Sequence, residues 1–268
     1  MAFDPRAALL ACVAQPRADL AEAALWLAME DDPSVDPAPW LALLDEVAAE
    51  LRPRIGGGAV PATGLVAVLA ATVRDRLRLR GADGGDPRHH YLNSILEHGA
   101  GNPIGCSTVW IALGRRAQLP VEGIGLPGHF LVRVAGTLVD AHGDGALVDP
   151  DQARGIVARA TGAEVPDLEP WLAPTGVREV VARMSRNLRA LYTGRQDWAL
   201  ALRAADRCVA LLPDAPGELR ERGTLRLRLG LTGGAMRDLR RYLDGVPGDA
   251  PDRADVERAY ASARGMLN

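Results

Sequence analysis

Apolar residues recur at intervals of three and four positions through most of the first 80 residues, which is the spacing of one helix face. Asp, Pro and Gly interrupt this pattern and are typical of helix boundaries. The pattern predicts an N-terminal helical region, residues 1–82, with helices over residues 5–14, 18–30, 37–52 and 61–79. No residue pattern in this region predicts a catalytic or ligand-binding site.

The pattern changes in residues 83–175. The segment 101–120 predicts a tight loop and then an apolar helix over residues 107–117. Three strand-like runs follow at residues 120–126, 129–135 and 137–143. Ala135-Gly136, between the last two runs, is typical of a two-residue hairpin turn. A helix followed by an antiparallel meander predicts an α+β core in which the helix packs across the sheet.

Residues 176–268 read as helical again and contain an internal repeat. Ala201, Ala205, Cys208 and Pro213 are followed 34 residues later by Ala235, Leu239, Tyr242 and Pro247. A 34-residue period that begins with a small residue and closes with proline is that of a tetratricopeptide repeat. It predicts a C-terminal α-helical repeat module in which Gly223 lies at a close helix contact and residues 251–267 form a capping helix.

Composition and charge narrow the function classes. The net charge of −3 lacks the basic excess that nucleic-acid binding requires, so we expect no nucleic-acid partner. All 31 basic residues are arginine, which excludes Schiff-base and P-loop chemistry that depends on lysine. No targeting signal and no apolar stretch of membrane-spanning length is visible, and three cysteines do not make a disulfide framework. We expect a cytoplasmic protein without a membrane partner. The sequence does not indicate an oligomeric state.

Cys106 is the candidate nucleophile. It follows Pro103 and Gly105 and opens the predicted apolar helix. A thiol at a helix N-terminus meets the positive end of the helix dipole and nearby amide donors, which favour the thiolate and could bind an oxyanion. Cys12 and Cys208 lie at apolar core positions and are interpreted as packing residues.

His129 and Asp140 are the candidate base and its orienting carboxylate. With the turn at Ala135-Gly136, Arg133 lies opposite Leu138, and side chains alternate between the two faces of the sheet. His129 and Asp140 then share one face as diagonal neighbours, while the other face is apolar. An imidazole beside a carboxylate is the arrangement that activates a cysteine or serine nucleophile.

Two alternatives remain open around these residues. Asn102 precedes the cysteine by four positions, and it would either donate its amide to an oxyanion or cap the loop. His142 and Asp144 form a competing base–carboxylate pair. We expect neither a metal nor a cofactor, because the histidines and cysteines form no CxxC, HExxH or HxH pair.

The central segment resembles the SirB1-like branch of the transglutaminase-like superfamily. The matching positions are Asn93, Ser94, Gly101 to Ile104, Arg115, Arg116, Leu119, Pro120 and Gly125 to Arg133. Asp140 matches the aspartate of the family's Asp-Pro-Phe segment, although Ala141-His142 replace Pro-Phe. The resemblance implies a transglutaminase-like, papain-like core followed by tetratricopeptide-like repeats. It also implies a Cys-His-Asp site, which some members of the branch have lost.

Two functions follow as hypotheses. The first is a cysteine-dependent amide hydrolase or acyltransferase that uses Cys106, His129 and Asp140 on a peptide or protein. The second is a catalytically inactive transglutaminase-like scaffold that binds a protein partner through its repeat module. The two differ in whether the thiol reacts, and the sequence does not identify a substrate.

Overall fold

The computed structural model describes residues 3–56 and 60–266, in two compact units, Met1–Val181 and Ala182–Asn268. The α+β class predicted from the sequence is confirmed. The three-part division at residues 82 and 175 stays a prediction.

The first unit begins with four helices, as the apolar spacing predicts. They are α1 (Pro5–Val13), α2 (Leu20–Asp31), α3 (Pro37–Ile55) and α4 (Ala62–Leu77). Aspartates cap α1, α2 and α3, because each accepts hydrogen bonds from amides of the following first turn. Helix α4 ends two residues earlier than predicted, because Arg78 adopts a left-handed conformation with φ of 51°.

Helix α6 (Pro103–Arg116) lies at the centre of this unit, and every residue from Ile104 to Gly114 is buried. A helix that is apolar on all sides is buried on all sides, which agrees with its contacts to the N-terminal helices and to the sheet. A Cβ on Gly114 would lie 2.3 Å from Val121 Cγ2, so glycine permits this close contact between helix and sheet.

The antiparallel sheet confirms the predicted meander and its register. Its strands are β3 (Val121–Ile124), β4 (Leu131–Val134), β5 (Thr137–Asp140) and β6 (Ala146–Leu147), in that spatial order. Arg133 lies opposite Leu138, as predicted, and the apolar face carries Phe130, Val132 and Val139, all buried. The sequence pattern did not predict β6, which adds only two residues to the edge.

A second, parallel sheet of two very short strands was also not predicted. Strand β1 (Arg80–Gly81) pairs with β2 (Ala100–Gly101), and the short helix α5 (Leu92–His98) precedes β2. Helix α7 (Pro150–Thr161) follows the antiparallel sheet, and Asp149 caps it in a reciprocal arrangement with Gln152. Short 3₁₀ turns occur at Pro87–His89 and Glu169–Trp171.

Helix α8 (Val177–Gly194) contains the boundary between the units, and the second unit continues entirely in helices. They are α9 (Trp198–Leu211), α10 (Pro216–Arg228), α11 (Thr232–Gly245) and α12 (Arg253–Gly265). The positions that repeat after 34 residues are buried in equivalent places, Ala201 and Cys208 in α9, Ala235 and Tyr242 in α11. A Cβ on Gly223 would lie 2.8 Å from Leu239 Cδ2, which confirms the predicted close contact between α10 and α11.

Candidate active site

The hairpin of β4 and β5 brings His129 and Asp140 together. His129 lies two residues before β4, and Asp140 is the last residue of β5. The distance from His129 Nε2 to Asp140 Oδ2 is 3.0 Å, and both side chains are largely buried. The backbone amide of His142 donates to the other carboxylate oxygen at 3.0 Å, which fixes the orientation of the carboxylate.

The pKa of Asp140 reflects this pairing. Burial by itself raises the pKa of the carboxyl group, but the hydrogen bond and charge of His129 outweigh burial, so the net pKa lies below its ordinary value of 3.8. Asp140 is therefore ionised at neutral pH. An ionised carboxylate at Nε2 favours the imidazole tautomer that carries its proton on that nitrogen.

Cys106 lies in the first turn of α6, because the helix begins at Pro103, four residues before the predicted start at Ser107, which corrects that boundary. Asn102 is the N-cap and Pro103 occupies the first helical position, where proline is favoured. The thiol is buried and donates to the carbonyl oxygen of Gly101 at 3.2 Å. Its sulfur is also 3.8 Å from the carbonyl oxygen of Arg80, so the β1–β2 pair encloses it.

The expected preference for thiolate at Cys106 is wrong for this arrangement. Burial raises the pKa of the thiol to about 12, and the negative charges of Asp140 and Asp144 add to that effect. Removing the thiolate from water costs more free energy than the helix dipole and the amides of the first turn contribute to stabilising it. At rest, Cys106 is therefore a protonated hydrogen-bond donor.

A hydrogen bond next to Cys106 connects its helix to the strand that follows His129. The Ser107 hydroxyl donates to the carbonyl oxygen of Phe130 at 3.2 Å, and both residues are fully enclosed. Ser107 follows Cys106 and Phe130 follows His129 in the chain. This hydrogen bond therefore links the helix that carries the candidate nucleophile to the segment that carries the candidate base, at the residue that follows each of them.

Asn102 makes two hydrogen bonds within the protein. Its side-chain oxygen accepts from the amide of Gly105 at 2.8 Å, and its side-chain nitrogen lies 2.9 Å from His90 Nδ1. Its backbone oxygen accepts from the amide of Cys106 at 2.9 Å. Asn102 therefore caps the helix and engages the amides of Gly105 and Cys106. The sequence suggests an oxyanion donor or a cap of the loop, and the role of oxyanion donor stays a prediction.

His142, the competing base, has a different environment. Its Nε2 lies 3.0 Å from the carbonyl oxygen of Ala82, and its ring packs against Gly81, where a Cβ would approach within 2.9 Å of the imidazole. Its ring centroid is 6.3 Å from that of His129, edge to face. Over residues 3–56 and 60–266, no cluster of three or more His, Cys, Asp or Glu side chains forms a metal-binding group.

The His129–Asp140 pair opens onto a cleft of about 440 Å³. The cleft is lined by Gly128, His129, Asp140, Ile156, Arg159 and Ala160. Helix α7 supplies one wall, and a Cβ on Gly128 would lie 2.9 Å from Ala160 Cβ, so this wall packs closely against the segment before His129. A larger cavity, about 540 Å³, is lined by residues 16–20, which lead into α2, and by part of α6, and contains none of the predicted site residues.

Sequence reasoning missed four contributors to this site. The carbonyl groups of Gly101 and Arg80 carry no side-chain signal, and their positions depend on a two-residue parallel pairing. Ser107 was part of the predicted apolar helix, where a lone hydroxyl does not indicate a partner. Arg159 lies on α7, outside the segment that carries the family motif.

Comparisons with known proteins agree with this architecture. The profile of the transglutaminase-like superfamily matches residues 38–186, and a tetratricopeptide repeat profile matches residues 188–263. A UPF0162 protein of Xylella fastidiosa (strain 9a5c) is 41% identical over 169 residues, and the match covers 60% of each chain. A UPF0162 protein of Pseudomonas aeruginosa is 31% identical over 248 residues, 90% of each chain.

No solved structure matches the chain. Among the helices of the described residues, none combines the length and the apolar character that crossing a membrane requires.

Proposed function

The chain belongs to the transglutaminase-like superfamily, and on that premise we propose that it is a cysteine-dependent amide hydrolase or acyltransferase acting on a peptide or protein. The observation that carries the proposal is the 3.0 Å pairing of His129 with Asp140 at an open cleft. The resemblance predicted from the central motif is confirmed, whereas the triad, the cytoplasmic location and the absence of nucleic-acid and membrane partners stay predictions.

The proposed reaction follows the usual order for a thiol nucleophile. His129 Nδ1 takes the proton of Cys106, and the sulfur forms a bond to the substrate carbonyl carbon. The carbon–nitrogen bond then breaks, and the imidazolium returns the proton to the departing amine. Water or a second amine attacks the thioester, releases an acid or a new amide, and regenerates the thiol.

Asp140 supports both halves of this reaction. Its lowered pKa keeps it ionised, so it stabilises the imidazolium that forms when His129 takes the proton. The thiol must first leave the carbonyl oxygens of Gly101 and Arg80, because a group held as a donor to those oxygens is not directed at a substrate. Substrate binding in the cleft is the step that we expect to accompany this movement.

A second candidate function is supported by the complete burial of Cys106 and its pKa of about 12. In that case the core is a scaffold and the tetratricopeptide repeats, which are a protein-interaction module, bind the partner. In the first candidate the repeats present the substrate instead. Reactivity of Cys106 separates the two functions.

The test is acylation of Cys106 by p-nitrophenyl acetate, measured as an acetyl group on the Cys106 peptide by mass spectrometry. We expect acetylation in the wild-type protein and a loss of about 100-fold or more in His129→Ala, the usual effect of removing a general base. His142→Ala is the matched histidine control and should change the rate less than 10-fold, a threshold roughly one order below the base effect. No acetylation, or equal acetylation in His129→Ala, would support the scaffold.

A further inference from the structure

Arg159 is a cation at the wall of the cleft, opposite the His129 segment. Among residues 3–56 and 60–266 no carboxylate pairs with it, whereas Arg154, on the same helix, contacts Asp151 at 2.5 Å. The arginine side chain runs back along the helix, and its Nη1 would lie 3.2 Å from a Cβ on Gly155. The glycine therefore leaves space in which the guanidinium lies against the helix.

The helix that carries Arg159 is held in place by its N-terminal cap and by its buried face. Asp149 and Gln152 cap its first turn reciprocally, and Ala153 and Val157 are fully buried in a cluster with residues of β3 and β4. Ala160, the neighbour of Arg159, packs against Gly128. Arg159 is thus held at the cleft by a rigid element and not by a loop.

The charges in the cleft favour one kind of ligand. The Asp140 carboxylate is engaged within the protein by His129 and by the amide of His142. No carboxylate of the described residues pairs with Arg159, so its guanidinium is the group of this wall that can pair with a negatively charged ligand. A guanidinium presents two parallel donors that match a carboxylate, and the exposed position of Arg159 leaves these donors accessible to a substrate.

We infer that Arg159 binds a carboxylate of the substrate, so that the site selects an acidic peptide segment, with an Asp or Glu side chain or a terminal carboxylate beside the reacting carbonyl group. This inference rests on the proposed function for its chemistry, but the binding of a carboxylate is testable without turnover. Arg159 is a specificity residue in this proposal and takes no part in proton transfer.

The first experiment compares alkylation of Cys106 by iodoacetate and by iodoacetamide, followed on the Cys106 peptide by mass spectrometry. Both reagents react with the same thiolate, so the ratio of their rates reports attraction of the negative reagent and cancels the thiol pKa. We expect Arg159→Gln to lower the iodoacetate-to-iodoacetamide ratio about 3- to 10-fold and Arg159→Glu to lower it further. Higher salt should reduce the wild-type ratio.

Arg154→Gln is the matched control, since it removes an arginine from the same helix but outside the cleft. It should leave the ratio unchanged. Equal ratios in Arg159→Gln and Arg154→Gln would overturn the inference while leaving the proposed nucleophile intact. Failure of both reagents to label Cys106 would contradict the proposed function, and the second experiment then decides the inference.

The second experiment uses N-acetylglutamate and N-acetylglutamine as probes of the Cys106→Ala variant, with the arginine Nε and histidine ring signals followed by NMR. We expect saturable shifts of the Arg159 and His129 signals with N-acetylglutamate and at least several-fold weaker binding of N-acetylglutamine. Addition of Arg159→Gln should abolish the difference, and addition of Arg154→Gln should not. Identical titrations with the two probes would overturn the inference.

Discussion

Glu218 in the repeat unit and Asp140 in the transglutaminase-like unit are both largely buried carboxylates, but they have different kinds of partner. In the repeat unit, Glu218 contacts Arg186 at 2.6 Å and Arg189 at 2.5 Å. In the transglutaminase-like unit, Asp140 faces one imidazole and one backbone amide. Arginine does not release its proton in proteins, whereas an imidazole does so near neutral pH.

The difference separates a structural network from a reactive one. The buried carboxylates Glu218 and Asp238 of the repeat unit are each paired with two arginines, Asp238 with Arg222 and Arg226, and this arrangement joins adjacent helices without any exchange of protons. Asp140 is paired with an imidazole beside a cleft, and an imidazole, unlike a guanidinium, can gain and lose a proton. Burial of a charged group does not by itself indicate function; the identity of its partner does.

The largest expected loss of unfolding free energy comes from breaking the arginine–carboxylate network around Asp238. Asp238→Asn removes a carboxylate that is 2% exposed and leaves the two arginines without its charge. Breaking a buried pair in this way costs about 3–5 kcal/mol of unfolding free energy, and we expect the lower end because Asp206 also contacts both arginines. Urea unfolding followed by circular dichroism measures the change.

Asp244→Asn is the control for that measurement, because its pair with Arg240 is exposed and of the i,i+4 type. We expect a loss below about 0.5 kcal/mol there. A similar cost for Asp238→Asn and Asp244→Asn would mean that the network in the repeat unit does not stabilise it.

The sequence predicted the parts of the fold that repeat or alternate. The N-terminal helices, the 34-residue period and the β4–β5 register all depend on spacing within short segments, which the chain displays directly. The pairing of His129 with Asp140 follows from that register, because the turn at Ala135-Gly136 determines which residues share a face.

The enclosure of Cys106 could not be predicted in the same way. It depends on β1 and β2, two strands of two residues that lie about twenty positions apart and have no periodic signal. The helix boundary was misplaced because Asn102-Pro103 was interpreted as a turn before the helix, while in the structure it is the cap and first residue of the helix. Arg159 reaches the cleft through the contact of Ala160 with Gly128, which is tertiary packing.

The next prediction concerns the alkaline stability that two buried thiols confer. Burial raises the pKa of Cys106 in the first unit and of Cys208 in the second from 9.0 to about 12. Such a thiol stays protonated in the folded state while the unfolded chain loses its proton above pH 9. The stability it contributes is therefore fully present below pH 9 and falls as pH rises towards 12. Between about pH 8 and 10.5 the expected loss is roughly 2 kcal/mol for each thiol.

Serine variants isolate this effect, since serine does not ionise in the same range. Cys106→Ser and Cys208→Ser should each reduce the alkaline loss of unfolding free energy by a similar amount, as measured by urea unfolding at the two pH values. If Cys106→Ser leaves the alkaline loss unchanged while Cys208→Ser reduces it, Cys106 is already a thiolate at rest, and the comparison between the two thiols fails.

The smallest effect concerns Asp140 itself. Asp140→Asn removes the charge that faces His129 and weakens the hydrogen bond from the His142 amide. We expect a cost of about 1 kcal/mol at pH 7, at the lower end for a bond to a charged group because the carboxylate is partly exposed. Urea unfolding of both proteins over a pH series measures it.

The pH dependence gives this last prediction its sign. The pKa of Asp140 is lowered in the folded state, so its contribution is present above the ordinary value of 3.8 and is lost as pH falls through the folded value. The difference between wild type and Asp140→Asn should therefore be constant above about pH 5 and should close as the pH falls through the lowered folded pKa of Asp140. Asp144→Asn is the matched control. It removes an exposed carboxylate nearby, at a left-handed backbone position that asparagine also tolerates, and at pH 7 it should cost less unfolding free energy than Asp140→Asn. A gap that persists at the lowest pH would mean that Asp140 acts through packing and not through the charge that His129 requires.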